Sequence, residues 1–192
     1  EEEEEFIKLW GPSSEAYEAP KEEEKYKKPN APKNDPLKEM GDKYEKYIGS
    51  KFEEKGNLVI YNGFIKGYDD KGVDIISISQ AKNEINLVQC KNWTKKRMDI
   101  EDIKNIYTKL KDYDLDCFNI SISVIKEHLV KVEHSGLTEQ FIHAKQHKGN
   151  YIIRKTLYVS SDKVMDLNIG EFLTMISPNI FKYLDMKIVI QE

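Results

Sequence analysis

A carboxylate, an amide and an ammonium group are brought together by two short strand patterns near the middle of the chain. Asp74 stands near the start of the first pattern, VDIISIS, while Gln89 and Lys91 stand near the end of the second, INLVQCK. The polar residues 80–84 join the two patterns, which predicts a hairpin. Because side chains alternate faces along a strand, Gln89 and Lys91 share one face and Cys90 takes the other. The hairpin places Asp74 beside them, at one edge of a sheet, and these groups suit a hard divalent cation and a phosphate.

The same residues carry a resemblance to a known family. The run DKGVD at residues 70–74, followed by QCK at residues 89–91, resembles the Mrr-type restriction endonuclease domain of the PD-(D/E)xK nuclease superfamily. The usual pattern of that domain is D-x-G-x-D followed by Q-x-K. The resemblance covers about residues 40–125. It implies a metal-dependent nuclease with a mixed central sheet flanked by helices.

The resemblance also implies a role for each group. Asp74 would bind Mg²⁺ directly, the Gln89 side chain and the Cys90 carbonyl would complete one side of its shell, and Mn²⁺ is expected to substitute. Lys91 would lower the pKa of the attacking water and counter charge in the transition state. Many members of the wider superfamily have Glu in place of Gln89, but Gln is usual in the Mrr-type subgroup. The implied reaction is phosphodiester hydrolysis that leaves 5′-phosphate ends.

A helix before this hairpin offers a fourth site residue. Apolar side chains recur at four-residue spacing over residues 37–55, and Gly56 is placed to end the helix. In the Mrr-type pattern such a helix carries an aromatic–Glu pair eleven residues before its terminating Gly, and Tyr44-Glu45 stands at that distance. The resemblance therefore places Glu45 at the metal site, where it would act through a water on the metal. A solvated helix face is the alternative, and Phe52-Glu53 is a rival pair close to the Gly.

Basic residues follow the second strand directly. Lys95, Lys96 and Arg97 come a few residues after Lys91, with Asn92 between. Beside a site that cuts phosphodiesters, we expect these four residues to contact DNA. A basic triplet on a loop is otherwise an ordinary solvated surface.

The remaining patterns extend the fold on both sides of the hairpin. The glycines between residues 63 and 72 predict a loop, in which Asp70 is interpreted as a turn residue and not as a ligand. The strand at residues 117–125 would complete the order α-β-β-β-α-β that the superfamily core requires. We therefore predict an α/β (α+β) fold, a restriction-endonuclease-like core with extra C-terminal α/β elements. The other predicted elements are a strand at 57–62, a helix at 99–112, a helix at 137–147, a strand at 151–159, a helix at 169–176 and a strand at 186–190.

Composition divides the chain into two parts. Residues 1–37 hold five of the six prolines, and residues 1–40 carry 12 acidic and 7 basic side chains. Residues 41–192 carry 22 acidic and 23 basic ones. We interpret residues 1–37 as a disordered acidic linker, with an acidic DNA mimic as the alternative. Residues 38–192 would form the nuclease domain, its core at about 38–125 and an extension at 126–192.

Four further observations bear on the setting of the protein. The chain begins with Glu, so we expect a piece of a longer protein with an upstream domain or anchor. The chain contains no run of 18 apolar residues, which is the pattern that would predict a membrane span. Cys90 and Cys117 lie in apolar runs, which favours buried free thiols in a reducing cytoplasm. His143 and His147 have a spacing that can hold zinc, but without a third ligand we interpret them as surface residues.

Together these patterns favour a Mg²⁺-dependent DNA endonuclease, in restriction or defence against foreign DNA, acting as a homodimer or higher oligomer. Two alternatives stay open. One is a structure-specific nuclease, such as a Holliday-junction resolvase, which shares the core. The other is a DNA-binding module of the same fold that has lost cleavage.

Overall fold

The computed structural model describes residues 35–92, 98, 100–131, 135–160 and 185–191. Within these ranges the chain forms five α-helices and five strands. In chain order they are α1 (Pro36–Glu54), β1 (Leu58–Ile60), α2 (Asn62–Lys66), β2 (Ile75–Ser79), β3 (Glu84–Lys91), α3 (Ile100–Lys111), α4 (Ile122–Glu127), α5 (Leu137–His147), β4 (Ile152–Ser160) and β5 (Lys187–Gln191). No helix among them is both long enough and apolar enough to cross a membrane.

The five strands form one mixed sheet in the order β1-β2-β3-β4-β5. β1, β2 and β3 are antiparallel neighbours, whereas β3, β4 and β5 run parallel. The predicted hairpin is confirmed, with Ile75 opposite Val88 and Ser79 opposite Glu84. β3 is therefore the central strand, and its last residues lie beside the beginning of β2.

Helices cover both faces of this sheet. α1 packs against β1, β2 and β3, and the ring of Phe52 meets the edge of Tyr158 on β4. α3 packs against β3 and β4, with Tyr107 beneath the ammonium of Lys155. Tyr158 and Lys155 are three residues apart on one strand, so they point to opposite faces. The fold is thus a three-layer α/β/α arrangement, which confirms the predicted class of a mixed sheet flanked by helices.

The first helix is well specified by its ends. The Asp35 side chain accepts hydrogen bonds from the backbone N–H groups of Leu37 and Lys38, and Pro36 occupies the first helical turn. At the other end Gly56 has φ +80°, a conformation that glycine adopts without strain. The helix predicted over residues 37–55 is confirmed, and so are the helix at 137–147 and the strands predicted at 151–159 and 186–190.

The strand predicted at residues 117–125 is wrong. This stretch forms a 3₁₀ turn, Asp116–Asn119, followed by α4. Alternation over a few residues does not separate a strand from a short helix, and Leu115 enters the stretch in the left-handed conformation with φ 59°. The place beside β3 belongs to β4. The fourth strand of the sheet therefore comes after two further helices, and not directly after α3.

The region between β1 and β2 also differs from prediction. The predicted strand at 57–62 is shortened to β1, and the predicted loop contains α2 and a 3₁₀ turn, Gly67–Asp70. Two other predictions lie outside the described residues: the helix at 169–176, and the acidic linker at residues 1–37 apart from its last three residues. Asp35 caps α1, and Pro36 and Leu37 lie in its first turn, so these three residues are not part of a disordered linker. The proposed domain boundaries remain a prediction.

Two glycines in α1 give a matched test of this packing. A Cβ atom added at Gly49 would overlap Cε1 of the fully buried Tyr61, whereas one added at Gly41 would meet nothing within 4 Å. We expect Gly49→Ala to destabilise the fold by about 1–3 kcal/mol because the site is overpacked. Gly41→Ala should stabilise it by up to about 1 kcal/mol, since Ala favours a helix. Urea unfolding measures both, and a Gly49→Ala variant as stable as wild type contradicts this packing.

Candidate active site

Asp74 lies in direct contact with the end of β3. Its Oδ2 atom accepts a hydrogen bond from Nε2 of Gln89 and a second one, 2.8 Å long, from the backbone N–H of Cys90. The backbone N–H of Asp74 donates to the carbonyl of Val88 at 2.9 Å. The hairpin therefore brings Asp74 and Gln89 together, as the sequence pattern predicts.

The surroundings of this pair differ from the expectation that Asp74 lies at a sheet edge outside the core. Asp74 is only 4% exposed and Gln89 only 5%. The reason is topological, because β3 is the central strand and has helices on both faces. A buried carboxylate requires hydrogen-bond donors, and the Gln89 amide and the Cys90 N–H supply two. The pair is thus held in one arrangement before any ligand arrives.

Lys91 ends β3 two residues beyond Gln89, so alternation puts its side chain on the same face. The side chain is half-buried. Cys90, between them, takes the opposite face, where its strand partner is Tyr158. Burial, together with the neighbouring Cys90, raises the pKa of Tyr158 to about 12. The phenol is therefore neutral at physiological pH.

Both cysteines are buried free thiols, as predicted. Burial and the nearby carboxylate of Asp116 raise the pKa of Cys117 to about 12. A thiol with so high a pKa is a poor nucleophile and a poor metal ligand at neutral pH.

The loop that delivers Asp74 is fixed by a residue that the sequence patterns did not single out. Asn62, fully buried, donates from its amide nitrogen to the carbonyls of Val73 at 2.8 Å and Asp70 at 3.2 Å. Asp70 in turn accepts the Gly72 N–H at 2.8 Å through Oδ1. Asp70 is therefore a turn residue, as interpreted. The signal for Asn62 is a lone amide directly after an apolar strand and before a glycine.

Glu45 is buried on α1, next to the fully buried Lys46. α1 covers the sheet face that carries Cys90 and Tyr158, opposite to the face of Gln89. A carboxylate at Glu45 would thus approach the end of β3 from the other helical layer. Its part in the site remains a prediction.

The predicted DNA-binding residues are described only in part. Lys95, Lys96 and Arg97 are outside the described residues, whereas Asn92 is half-buried directly after β3.

The two histidines interpreted as surface residues lie far from this region. His143 Nδ1 lies 2.6 Å from the hydroxyl of Tyr151, and the His147 ring is adjacent and exposed.

The donor atoms around Asp74 fit a hard divalent cation. A carboxylate, the amide of Gln89 and the carbonyl of Cys90, which lies 3.5 Å from the Gln89 amide nitrogen, could present oxygen ligands after a half-turn of that amide. In the described ranges no three His, Cys, Asp or Glu side chains gather around a metal position.

Comparison with known families agrees with this arrangement. Residues 37–123, from α1 to the start of α4, match the family model Mrr_cat, described as restriction endonuclease. The matched stretch contains Glu45, Asp74, Gln89 and Lys91. No curated protein and no solved structure matches the chain significantly. Members of this family generally use divalent metals and act on DNA. Residues 37–123 of this chain thus match the Mrr-type restriction endonuclease domain of the PD-(D/E)xK nuclease superfamily, which confirms the resemblance that the sequence motifs carry.

Proposed function

We propose that this protein is a Mg²⁺-dependent endodeoxyribonuclease whose active site is built by Asp74, Gln89 and Lys91, with Glu45 contributed by α1. The observation that carries the proposal is the buried hydrogen bond between Asp74 and Gln89 at the end of the central strand. Buried ionisable groups with a charged neighbour are concentrated at functional sites, which supports this assignment.

Each group has a chemical task in this proposal. Asp74, Gln89 and the Cys90 carbonyl would hold Mg²⁺, which supplies Lewis acidity at the phosphate and favours ionisation of the attacking water. Lys91 would donate hydrogen bonds to the scissile phosphate and offset the charge that grows on its oxygens. Glu45 would orient the water opposite the leaving group.

The reaction balances as a simple hydrolysis. Water oxygen attacks phosphorus while the bond from phosphorus to the 3′ oxygen breaks, and a proton from the water ends on that 3′ oxygen. The products are a 5′-phosphate and a 3′-hydroxyl. Asp74 and Gln89 already lie side by side, so the change needed on metal binding is a half-turn of the Gln89 amide that points its oxygen toward the metal.

A role in restriction or defence, with a homodimer cutting both strands, completes the proposal. The proposed nuclease activity is tested with supercoiled plasmid, methylated and unmethylated, and with a four-way junction, each in the presence of Mg²⁺. Cleavage of plasmid supports the proposal, and cleavage confined to the junction favours the resolvase-like alternative. Binding of DNA without cleavage of any substrate identifies an inactive module of this fold.

The triplet Lys95, Lys96 and Arg97 gives a separate prediction. If the three side chains contact DNA phosphates, replacing all three with Ala weakens binding to every sequence alike. The slope of log K against log salt should fall by about 0.9 for each phosphate that the variant no longer neutralises. A salt titration of DNA binding measures this. An unchanged affinity and slope would show that the DNA path avoids these residues, and a loss of sequence preference alone would show that they read bases.

A further inference from the structure

The loop that leads into Asp74 displays an exposed aromatic ring. Tyr68, in the 3₁₀ turn Gly67–Asp70, is 69% exposed, more than any other large apolar side chain in the described ranges. Its hydroxyl accepts a hydrogen bond of 2.8 Å from Nζ of Lys38, which also stands 4.2 Å from the ring centroid. An aromatic side chain exposed to this extent beside an ammonium is suited to stack on a sugar or base next to a phosphate.

A second basic side chain, that of Lys109, lies against the same loop at Gly72, where the absence of a Cβ atom leaves room for it. A Cβ atom added at Gly72 would lie 2.7 Å from Cδ of Lys109, so the Lys109 side chain of α3 crosses directly over Gly72. Gly72 also has φ +80°, which only glycine adopts readily. The loop thus carries an exposed lysine from α3 at a point two residues before Asp74.

Lys71 supplies a third ammonium group at this loop, and it shares its acidic partner with Lys66. Nζ of Lys71 and Nζ of Lys66 lie 3.5 Å and 2.5 Å from the same oxygen, Oδ2 of Asp116. Burial works to raise the pKa of Asp116, but the hydrogen bond and charge of Lys66, with the charge of Lys71, outweigh it and hold that pKa below its usual range. One ionised carboxylate therefore faces two ammonium groups, and Lys71 is 57% exposed.

The presentation of these groups is rigid. Asn62 binds the carbonyls at both ends of the Asp70–Val73 turn, and the carboxylate of Asp70 is engaged by the Gly72 N–H. Lys71 keeps a left-handed backbone conformation with φ 56°, which costs a non-glycine residue about 1 kcal/mol. A surface that is ordered before binding loses little entropy when it engages a ligand.

From these observations we infer that Tyr68, Lys71 and Lys109 form a DNA-contact surface on the rim of the Asp74 site, here called the rim surface. The two lysines would bind phosphates and Tyr68 would stack on a sugar or base. The inference rests on the proposed function, since it names where the substrate of that site lies. Asp69 is exposed in the same turn, so its carboxylate would repel the phosphates and weaken binding.

DNA binding measured without cleavage tests the rim surface. Fluorescence anisotropy of a labelled duplex in EDTA would be recorded over a range of salt concentrations. For the double variant Lys71→Gln with Lys109→Gln we expect about tenfold weaker binding and a salt slope lower by about 1.8, because two phosphates are no longer neutralised. Tyr68→Ala should weaken binding about fivefold with an unchanged slope. Asp69→Asn should tighten binding.

Lys148→Gln is the matched control, because Lys148 is exposed near the start of β4, which pairs with the opposite end of β3. It removes one charge and should leave the slope unchanged. A double variant whose slope equals that of wild type overturns the inference, whatever Tyr68→Ala does. Wild-type protein that binds no DNA either in EDTA or in Ca²⁺ instead overturns the proposed function itself. Thermal unfolding of each variant confirms that the exposed substitutions leave the fold in place.

Discussion

Replacing Asp74 with Asn is expected to abolish DNA cleavage while DNA binding and the fold persist. Asn has nearly the same shape and keeps an oxygen that can accept the Cys90 N–H, so the local hydrogen bonding survives in part. It lacks the negative charge that would hold a divalent cation at the phosphate. Losing an electrostatic contribution of this kind costs on the order of 100-fold or more in rate. Single-turnover cleavage of a labelled duplex measures the loss.

The Asp70–Val73 turn, which leads into Asp74, supplies a control for the Asp74→Asn variant. Asp70 is the other acidic residue of the D-x-G-x-D pattern, and its Oδ1 accepts the Gly72 N–H. Asn at this position can accept the same hydrogen bond, so Asp70→Asn should retain the wild-type rate. Full activity in Asp74→Asn, or equal loss in both variants, would contradict the assignment of Asp74 as the metal-binding carboxylate.

Replacing Gln89 with Glu is expected to make the stability of the protein depend on metal. The Gln89 amide donates to Asp74 in a buried position. A carboxylate there has no proton to donate at neutral pH and repels Asp74, which raises the shared pKa of the pair. We expect a loss of about 1–3 kcal/mol in the absence of metal. Mg²⁺ or Mn²⁺ should restore the loss, because the variant offers two charged ligands.

The loss of folding stability in Gln89→Glu should become smaller as the pH is lowered. A pair whose folded-state pKa is raised binds protons more readily in the folded state, so the deficit should shrink as pH falls through that pKa. Gln80→Glu, in the exposed turn of the same hairpin, adds the same charge without burial and is the control. Thermal unfolding with and without Mn²⁺ measures both variants. A Gln89→Glu protein that metal does not stabilise would show that Gln89 is not a ligand.

The pairing of Asp74 with Gln89 could be predicted from sequence because its pattern is local. Asp74 and Gln89 belong to adjacent strands of a hairpin, and strand periodicity plus a short polar turn determine which residues face each other. Their burial could not be predicted in this way. It depends on β4 and on α3, elements distant in sequence that place β3 at the centre of the sheet.

The wrong strand prediction at residues 117–125 and the missed role of Asn62 also result from contacts between residues distant in sequence. Residues 117–125 alternate as a strand does, but the position beside β3 is taken by β4, and side chains such as Cys117, Phe118 and Ile125 are buried from a 3₁₀ turn and a helix. Asn62 stands between an apolar strand and a glycine, but its two carbonyl partners become neighbours only after the loop folds, so this local pattern does not reveal its role. Long-range packing overrides local preference in both cases.

Conversion of supercoiled plasmid by the wild-type protein, in Mg²⁺ and in excess EDTA, tests most directly whether this chain is a metal-dependent endonuclease. The expected result is nicked or linear plasmid in Mg²⁺ alone, with nicks that DNA ligase reseals because they carry 5′-phosphate and 3′-hydroxyl ends. Equal cleavage in EDTA, or plasmid that remains supercoiled in Mg²⁺ and in Mn²⁺ under conditions where the protein binds it, would contradict this function.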